Sequence, residues 1–269
     1  MSPNKRTGRK RDYVGVLSSV FAIVIGLLVG FVILLICNPS QALPGFVTIL
    51  TGAFTHGLKG VGQVFYYATP IILTGLSVGF AFKTGLFNIG TPGQFIVGAF
   101  AAVYVGIMWT GLGRIQWAVA LLAAILGGAL WGMVPGVLKA CFNVNEVIAS
   151  IMMNYIGMYM VNWIVKSYKP LFNNLRNESR NVAATAQIPK MGMDKLFPES
   201  SVGGGILLAV AAVLLIWVIL NKTTFGYELK AVGFNRDAGR YAGINEKRNI
   251  IMSMVIAGAI AGMAGGLLY

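Results

Sequence analysis

Val14–Cys37 reads VGVLSSVFAIVIGLLVGFVILLIC, an unbroken run of 24 residues without a charge. A helix needs about 20 apolar residues to cross the hydrocarbon core of a bilayer. The bases Lys5, Arg6, Arg9, Lys10 and Arg11 precede the run and give it the outline of a secretion signal. Its apolar stretch is too long for one, since a signal core has about 7–15 residues. The run therefore reads as a retained first span.

Working outward, comparable stretches lie between charges at 60–82, 84–113, 115–138, 147–165, 200–221 and 249–269. The 84–113 stretch is interrupted by Gly85, Gly90, Pro92 and Gly93. It resolves into an irregular segment, 83–92, and a helix from about 93 to 110. The expectation is an all-α bundle of about seven transmembrane spans. Composition agrees: 57% of the 269 residues are hydrophobic and 11% charged, against about 25% charged in soluble domains. The last span runs to Tyr269 with no flanking charge, so the reading expects a C-terminally truncated chain with further helices beyond it.

The formal charge of +13 is gathered between the spans, which favours a topological meaning over nucleic-acid binding. Residues 1–13 form a basic tail, expected on the cytoplasmic side. The segment 222–248 carries Lys222, Lys230, Arg236, Arg240, Lys247 and Arg248. Six spans separate the two, an even number that puts both on one face. The loop 167–202 then lies outside although it holds Lys169, Arg176, Arg180, Lys190 and Lys195. Its Asn and Pro content predicts short, irregular structure.

Several chemistries are excluded. Cys37 and Cys141 end apolar runs without metal spacing, and His56 has no partner ligand nearby. No phosphate-binding G-x-x-x-x-G-K-[ST] loop and no nucleophile–base set occurs, so no catalytic residue and no metal site is expected. Polar residues do form stripes on the spans. Gln63, Tyr67, Pro70, Thr74 and Ser77 share an arc of one helix, and Glu146, Ser150 and Asn154 recur every four residues on another. Such stripes either line a pathway or hydrogen-bond neighbouring helices. Asn145 can cap the second helix, which would leave Glu146 in the first turn facing the helix dipole. Glycine rows at 128/132/136, 258/262/266 and 26/30 read as helix-packing surfaces. In the 222–248 segment Asn235 can cap a short helix and Gly243 can end it. That element is either a partner's seat or a solvated loop that anchors the topology.

Three blocks carry a family resemblance: Gly75–Gln94 (GLSVGFAFKTGLFNIGTPGQ), Phe142–Tyr155 (FNVNEVIASIMMNY) and residues 223–244. Together they are similar to permease subunits of bacterial ABC importers in the branched-chain amino acid and ribose permease superfamily. Within it they most resemble the nucleoside branch served by basic-membrane-protein-type lipoproteins. Thr91-Pro92 departs from the small residue and acid that the family often has there. The resemblance implies the ABC importer permease fold in a bacterial cell membrane. It also implies a second permease subunit, two cytoplasmic ATPases and an extracellular substrate-binding lipoprotein, with ATP and Mg on the ATPases and no cofactor on this chain. Asn235, Arg236, Asp237, Ala238, Gly239, Arg240 and Gly243 match the cytoplasmic helix that docks into the ATPase, within the coupling segment 222–248. Phe87, Asn88, Asn145, Glu146 and Asn154 are the pathway candidates, since aromatic and amide groups suit a nucleoside. The alternatives are an ion-coupled secondary transporter, in which broken segments also occur, and a non-transporting scaffold for a soluble partner.

The span order makes a direct prediction. Cysteines placed at Arg180 and at Arg240 are expected to react with a membrane-impermeant thiol reagent from opposite faces of the membrane. Reaction from one face would overturn the span count.

Overall fold

The computed structural model describes residues 13–268, and of residues 13–16 the backbone alone. The basic tail lies outside the described residues up to position 12. The chain divides into two compact units, Met1–Gly60 and Val61–Tyr269.

In the first unit, α1 (Tyr13–Cys37) is followed after one residue by α2 (Pro39–Thr55). Pro39 occupies the first turn of α2, where its missing N–H is no loss. The rings of Phe31 and Phe46 pack at 4.8 Å between the two helices. The sequence reading had left 38–59 unassigned, because Pro39, Pro44, His56 and Lys59 interrupt its apolar character. At 17 residues α2 is about 26 Å long, at the lower limit for crossing a bilayer. With α2 across the membrane, seven spans would separate the N-terminal tail from 222–248 and put them on opposite faces.

The second unit contains α3 from residue 61 onward (the helix is Gly57–Phe82), α4 (Thr91–Met108), α5 (Gln116–Phe142) and α6 (Glu146–Ser167). A short hairpin follows, with β1 (Phe172–Asn173) antiparallel to β2 (Glu178–Ser179), and then α7 (Met193–Leu196). The chain continues through α8 (Gly205–Lys222), α9 (Thr224–Phe234), α10 (Arg236–Tyr241) and α11 (Glu246–Leu268). Among the described residues seven helices are long and apolar enough to cross a membrane, matching the expected number. The break after α3 falls where the glycines and Pro92 placed it, although α4 begins two residues earlier than expected. The 222–248 segment holds two helices where one was expected, because Thr223 caps α9 by accepting from Gly226 N.

Helix α11 is the axis of this unit and the most buried of the spans. Two of the predicted glycine rows meet on it. A Cβ on Gly128 or Gly258 would collide with the carbonyl of the other, and one on Gly262 would strike the Ala124 carbonyl. One on Gly98 of α4 would run into the backbone of Gly262. The backbones of α4, α5 and α11 thus touch directly, which gains dispersion contacts in a setting where no hydrophobic force draws helices together. On its other side α11 joins Leu73 and Phe80 of α3, Ala209 and Ile216 of α8 and Leu229 of α9 in one apolar cluster. The third glycine row differs from expectation. A Cβ on Gly26 or Gly30 would meet nothing within 4 Å among the described residues.

This contrast sets a pair of opposite outcomes. Gly262→Leu has no space to occupy without separating α11 from α5, and should exceed the usual overpacking penalty of about 1–3 kcal/mol. A large drop in the thermal unfolding midpoint of the detergent-solubilised protein is expected. Gly30→Leu, in open surroundings, should leave the midpoint unchanged.

Candidate transport site and coupling surface

The break between α3 and α4 begins with a glycine stop. Gly85 has φ +70°, and Leu86 N donates back to Ala81 O across five residues at 3.2 Å, closing the end of α3. The chain then turns through Phe87, Asn88, Ile89 and Gly90 before α4 starts. A turn inside a bundle exposes peptide groups that no water can serve, so side chains must serve them.

Asn88, fully buried, does most of this. Its Oδ1 accepts from Gly90 N at 3.1 Å and from Gln94 Nε2 at 3.2 Å, while its Nδ2 donates to Gln94 Oε1 at 3.0 Å. The Asn88 and Gln94 amides thus form a reciprocal pair. Nδ2 also lies 3.5 Å from Ser77 Oγ, which itself donates to Ala257 O of α11 at 2.7 Å. Asn154 of α6 closes the turn from the other side. Its Oδ1 accepts from Gly93 N and its Nδ2 donates to Ile89 O, both at 2.9 Å. Thr84 Oγ1 donates to Ser253 Oγ of α11 at 2.8 Å. Ser150, on the same face of α6, is buried with its Oγ unpartnered, next to Gly90.

The five pathway candidates therefore separate into two places. Asn88 and Asn154 meet at the turn. Phe87 is adjacent, 43% exposed and stacked on Phe82 with centroids 5.1 Å apart. Asn145 and Glu146 stand at the start of α6, about 12 Å along the axis from Asn154. Asn145 caps α6, its Oδ1 accepting from Val147 N at 2.9 Å and Ile148 N at 3.4 Å. Glu146 pairs with Lys139 of α5 at 2.9 Å, and the Arg236 charge acts on it from α10. The stripe on α3 also divides: Ser77 faces α11, Gln63 accepts from Ser201 N, Thr74 bonds its own helix, and Tyr67 is exposed. Gln94, Thr84, Ser253 and Asn249 were not singled out from the sequence. The i, i+4 spacing of Asn249 and Ser253 on the last span was the available signal.

A second constellation forms in 222–248. Asn235 ends α9 and caps α10, its Oδ1 accepting from Ala238 N at 3.1 Å. Gly243, at φ +80°, closes α10 with a bond from Ile244 N to Gly239 O. Both local readings of the sequence are realised. Gly239 is buried against Val232 of α9, so it joins the two helices instead of facing outward. Ala238, Asp237 and Arg240 are exposed. Phe234 and Tyr241 are each 95% exposed and Tyr227 is largely so. Phe234 and Tyr227 border a cleft of about 900 Å³ whose lining includes Glu228, Ala231, Ala238 and Ala242.

Membrane-length helices around a satisfied internal break define a polytopic helical membrane protein. The family described as branched-chain amino acid transport system, permease component, matches residues 60–269, and the chain belongs to it. The guanosine ABC transporter permease protein NupP of Bacillus subtilis is 41% identical over 248 residues, 92% of this chain and 70% of the relative. The nucleoside ABC transporter permease protein NupB of Lactococcus lactis is 36% identical, covering 94% of this chain and 70% of the relative. A glucose ABC transporter permease of Haloferax volcanii is 31% identical over 82% of this chain and 58% of its own length. No solved structure matches. The chain is a permease subunit of an ABC transporter, and permeases of this kind are not themselves enzymes.

The turn's dependence on α6 can be tested directly. Asn154→Leu leaves Gly93 N–H and Ile89 C=O without partners, at about 1–3 kcal/mol for each buried group. A lowered unfolding midpoint together with reduced transport is the expected result. If both stay at the wild-type level, Asn154 is dispensable to the turn.

Proposed function

We propose that the chain is the permease of an ATP-driven nucleoside importer in the bacterial plasma membrane, with the 222–248 segment on the cytoplasmic face as the seat of the ATPase. The observation that carries the coupling half is the exposure of Phe234 and Tyr241. Two almost fully exposed aromatic rings, that of Phe234 beside a cleft, are an unusual surface for a free loop and a good one for a partner, where buried aromatic anchors dominate binding. The capped helix α10 presents Asp237, Ala238 and Arg240 on the same side. The Arg236 charge acts on Glu146, and Gly239 packs α10 against α9. ATP and Mg²⁺ belong to the partner ATPase in this reading, since the sequence has no phosphate-binding loop.

The substrate half rests on the guanosine and nucleoside permeases among the relatives. Import then runs by alternating access between inward- and outward-open states, with a second permease subunit completing the path and an extracellular binding lipoprotein delivering the substrate. Phe87, exposed beside the turn, offers a face on which a base can stack. Asn88 and Asn154 already use their hydrogen-bonding groups on the turn, so their part is to shape the path. Asn145 and Glu146 mark its cytoplasmic end. The glucose permease among the relatives supports a second reading in which the cargo is a sugar.

Uptake by cells carrying the intact system decides between cargoes. Labelled guanosine should accumulate, competed by other nucleosides and not by glucose, and accumulation should stop when ATP is depleted. For the coupling half, replacing both Phe234 and Tyr241 by Ala should reduce co-purification of the ATPase at least tenfold, the effect of about 1.4 kcal/mol, while membrane insertion is unchanged. Full retention of the ATPase would remove α9–α10 from the docking surface.

A further inference from the structure

Helix α9 touches the α3–α4 break in two ways. The first is a backbone contact. A Cβ on Gly233, one residue before the end of α9, would collide with the Lys83 carbonyl and stand 3.0 Å from Gly85 N. Reciprocally, a Cβ on Gly85 would stand 3.1 Å from Gly233 O. The C-terminal end of α9 therefore lies against the glycine stop of α3 with nothing between. The second contact runs through one face of α11. Residues 249, 253 and 257 recur every four positions and so share a side, rising about 12 Å. Asn249 Nδ2 donates to Glu228 Oε2 of α9 at 3.0 Å. One turn on, Ser253 Oγ accepts from Thr84. One turn further, Ala257 O accepts from Ser77, which contacts Asn88.

Asn249 is fully buried, yet its Oδ1 has no partner among the described residues. An apolar residue there would avoid the cost of a half-satisfied buried amide, but would lose the bond to α9. The arrangement suits a link between elements better than it suits stability. Its two ends differ in character: exposed aromatics on α9–α10, and a glycine-flanked turn tied to α6 and α11 by side chains.

We infer that Gly233 and the Glu228–Asn249 bond are positioning groups that carry movement of α9 into the 83–90 turn, so that the turn is the part of the permease displaced when the ATPase closes. This rests on the 222–248 segment being the ATPase seat. The experiment separates the two ideas by measuring three quantities on the complete transporter: ATPase co-purification, ATP hydrolysis and substrate uptake. Docking is read by the first, and the link by the number of substrates moved per ATP. Asn249→Ala, outside the docking cleft, and Gly233→Ala are expected to keep the ATPase bound and hydrolysing while uptake per ATP falls at least tenfold. Glu228→Gln, which retains an acceptor for Asn249, should keep the ratio near wild type. Asn249→Ala only removes side-chain atoms, so it reports even where Gly233→Ala does not assemble. Uptake and hydrolysis falling in equal proportion, loss of the ATPase from the Asn249 variant, or a Glu228→Gln variant as defective as Asn249→Ala would each overturn the link.

Discussion

A backbone that leaves the helix inside a bilayer must find every hydrogen bond within the protein, because lipid offers none. The 83–90 turn meets that demand through its neighbours. Asn88 serves Gly90 N, Asn154 serves Gly93 N and Ile89 O, and Thr84 and Ser77 reach α11. Four helices are thereby committed to one turn. Ser77, Gln94, Asn154 and Ser253, which look scattered along the chain, have their positions explained by this single requirement.

The same requirement governs packing. Side chains from α4 and α11 reach the turn only because the backbones of α4, α5 and α11 approach closely, and that approach is possible only with glycine at positions such as 98, 128, 258 and 262. Bulk is placed elsewhere, in the apolar cluster of Leu73, Phe80, Ile216 and Leu229 that fastens α3, α8 and α9 to the opposite side of α11. Helix α11 thus has one side of glycine against α5, one of aliphatic residues, and a row at 249, 253 and 257 that hydrogen-bonds α9, Thr84 and α3 through two polar side chains and one backbone carbonyl. A membrane helix with three such distinct sides has little freedom to rotate, which suits a central element against which others move.

Transport by such a chain depends on the contrast between its fixed parts and its exposed ones. The Lys139–Glu146 pair and the Asn145 cap fix the start of α6, and Asn154 two turns later fixes the break. Phe87, Phe234 and Tyr241 instead face outward with large ring areas uncovered. Rings of that kind become useful when something covers them; in the proposed reading a substrate covers Phe87 and a partner protein covers Phe234 and Tyr241.

By itself the sequence determined the bundle: span number, the break after α3, the glycine rows of α5 and α11, the Asn145 and Asn235 caps and the Gly243 stop all follow from local periodicity, capping chemistry and the length needed to cross a membrane. These properties are written over a few neighbouring residues, so reading along the chain recovers them. It missed α2, whose two prolines mask its periodicity, and the division of 222–248 into α9 and α10. Only the tertiary structure decided which polar residues meet. Asn88 and Asn154 are 66 positions apart in the chain yet close the same turn, while Glu146, eight residues from Asn154 on the same stripe, is committed to Lys139 instead. Gly239, small enough on sequence grounds to enter a partner's groove, is turned inward onto Val232. Hydrogen bonds and burial across helices depend on rotation and register between spans, and no local pattern within one span encodes those.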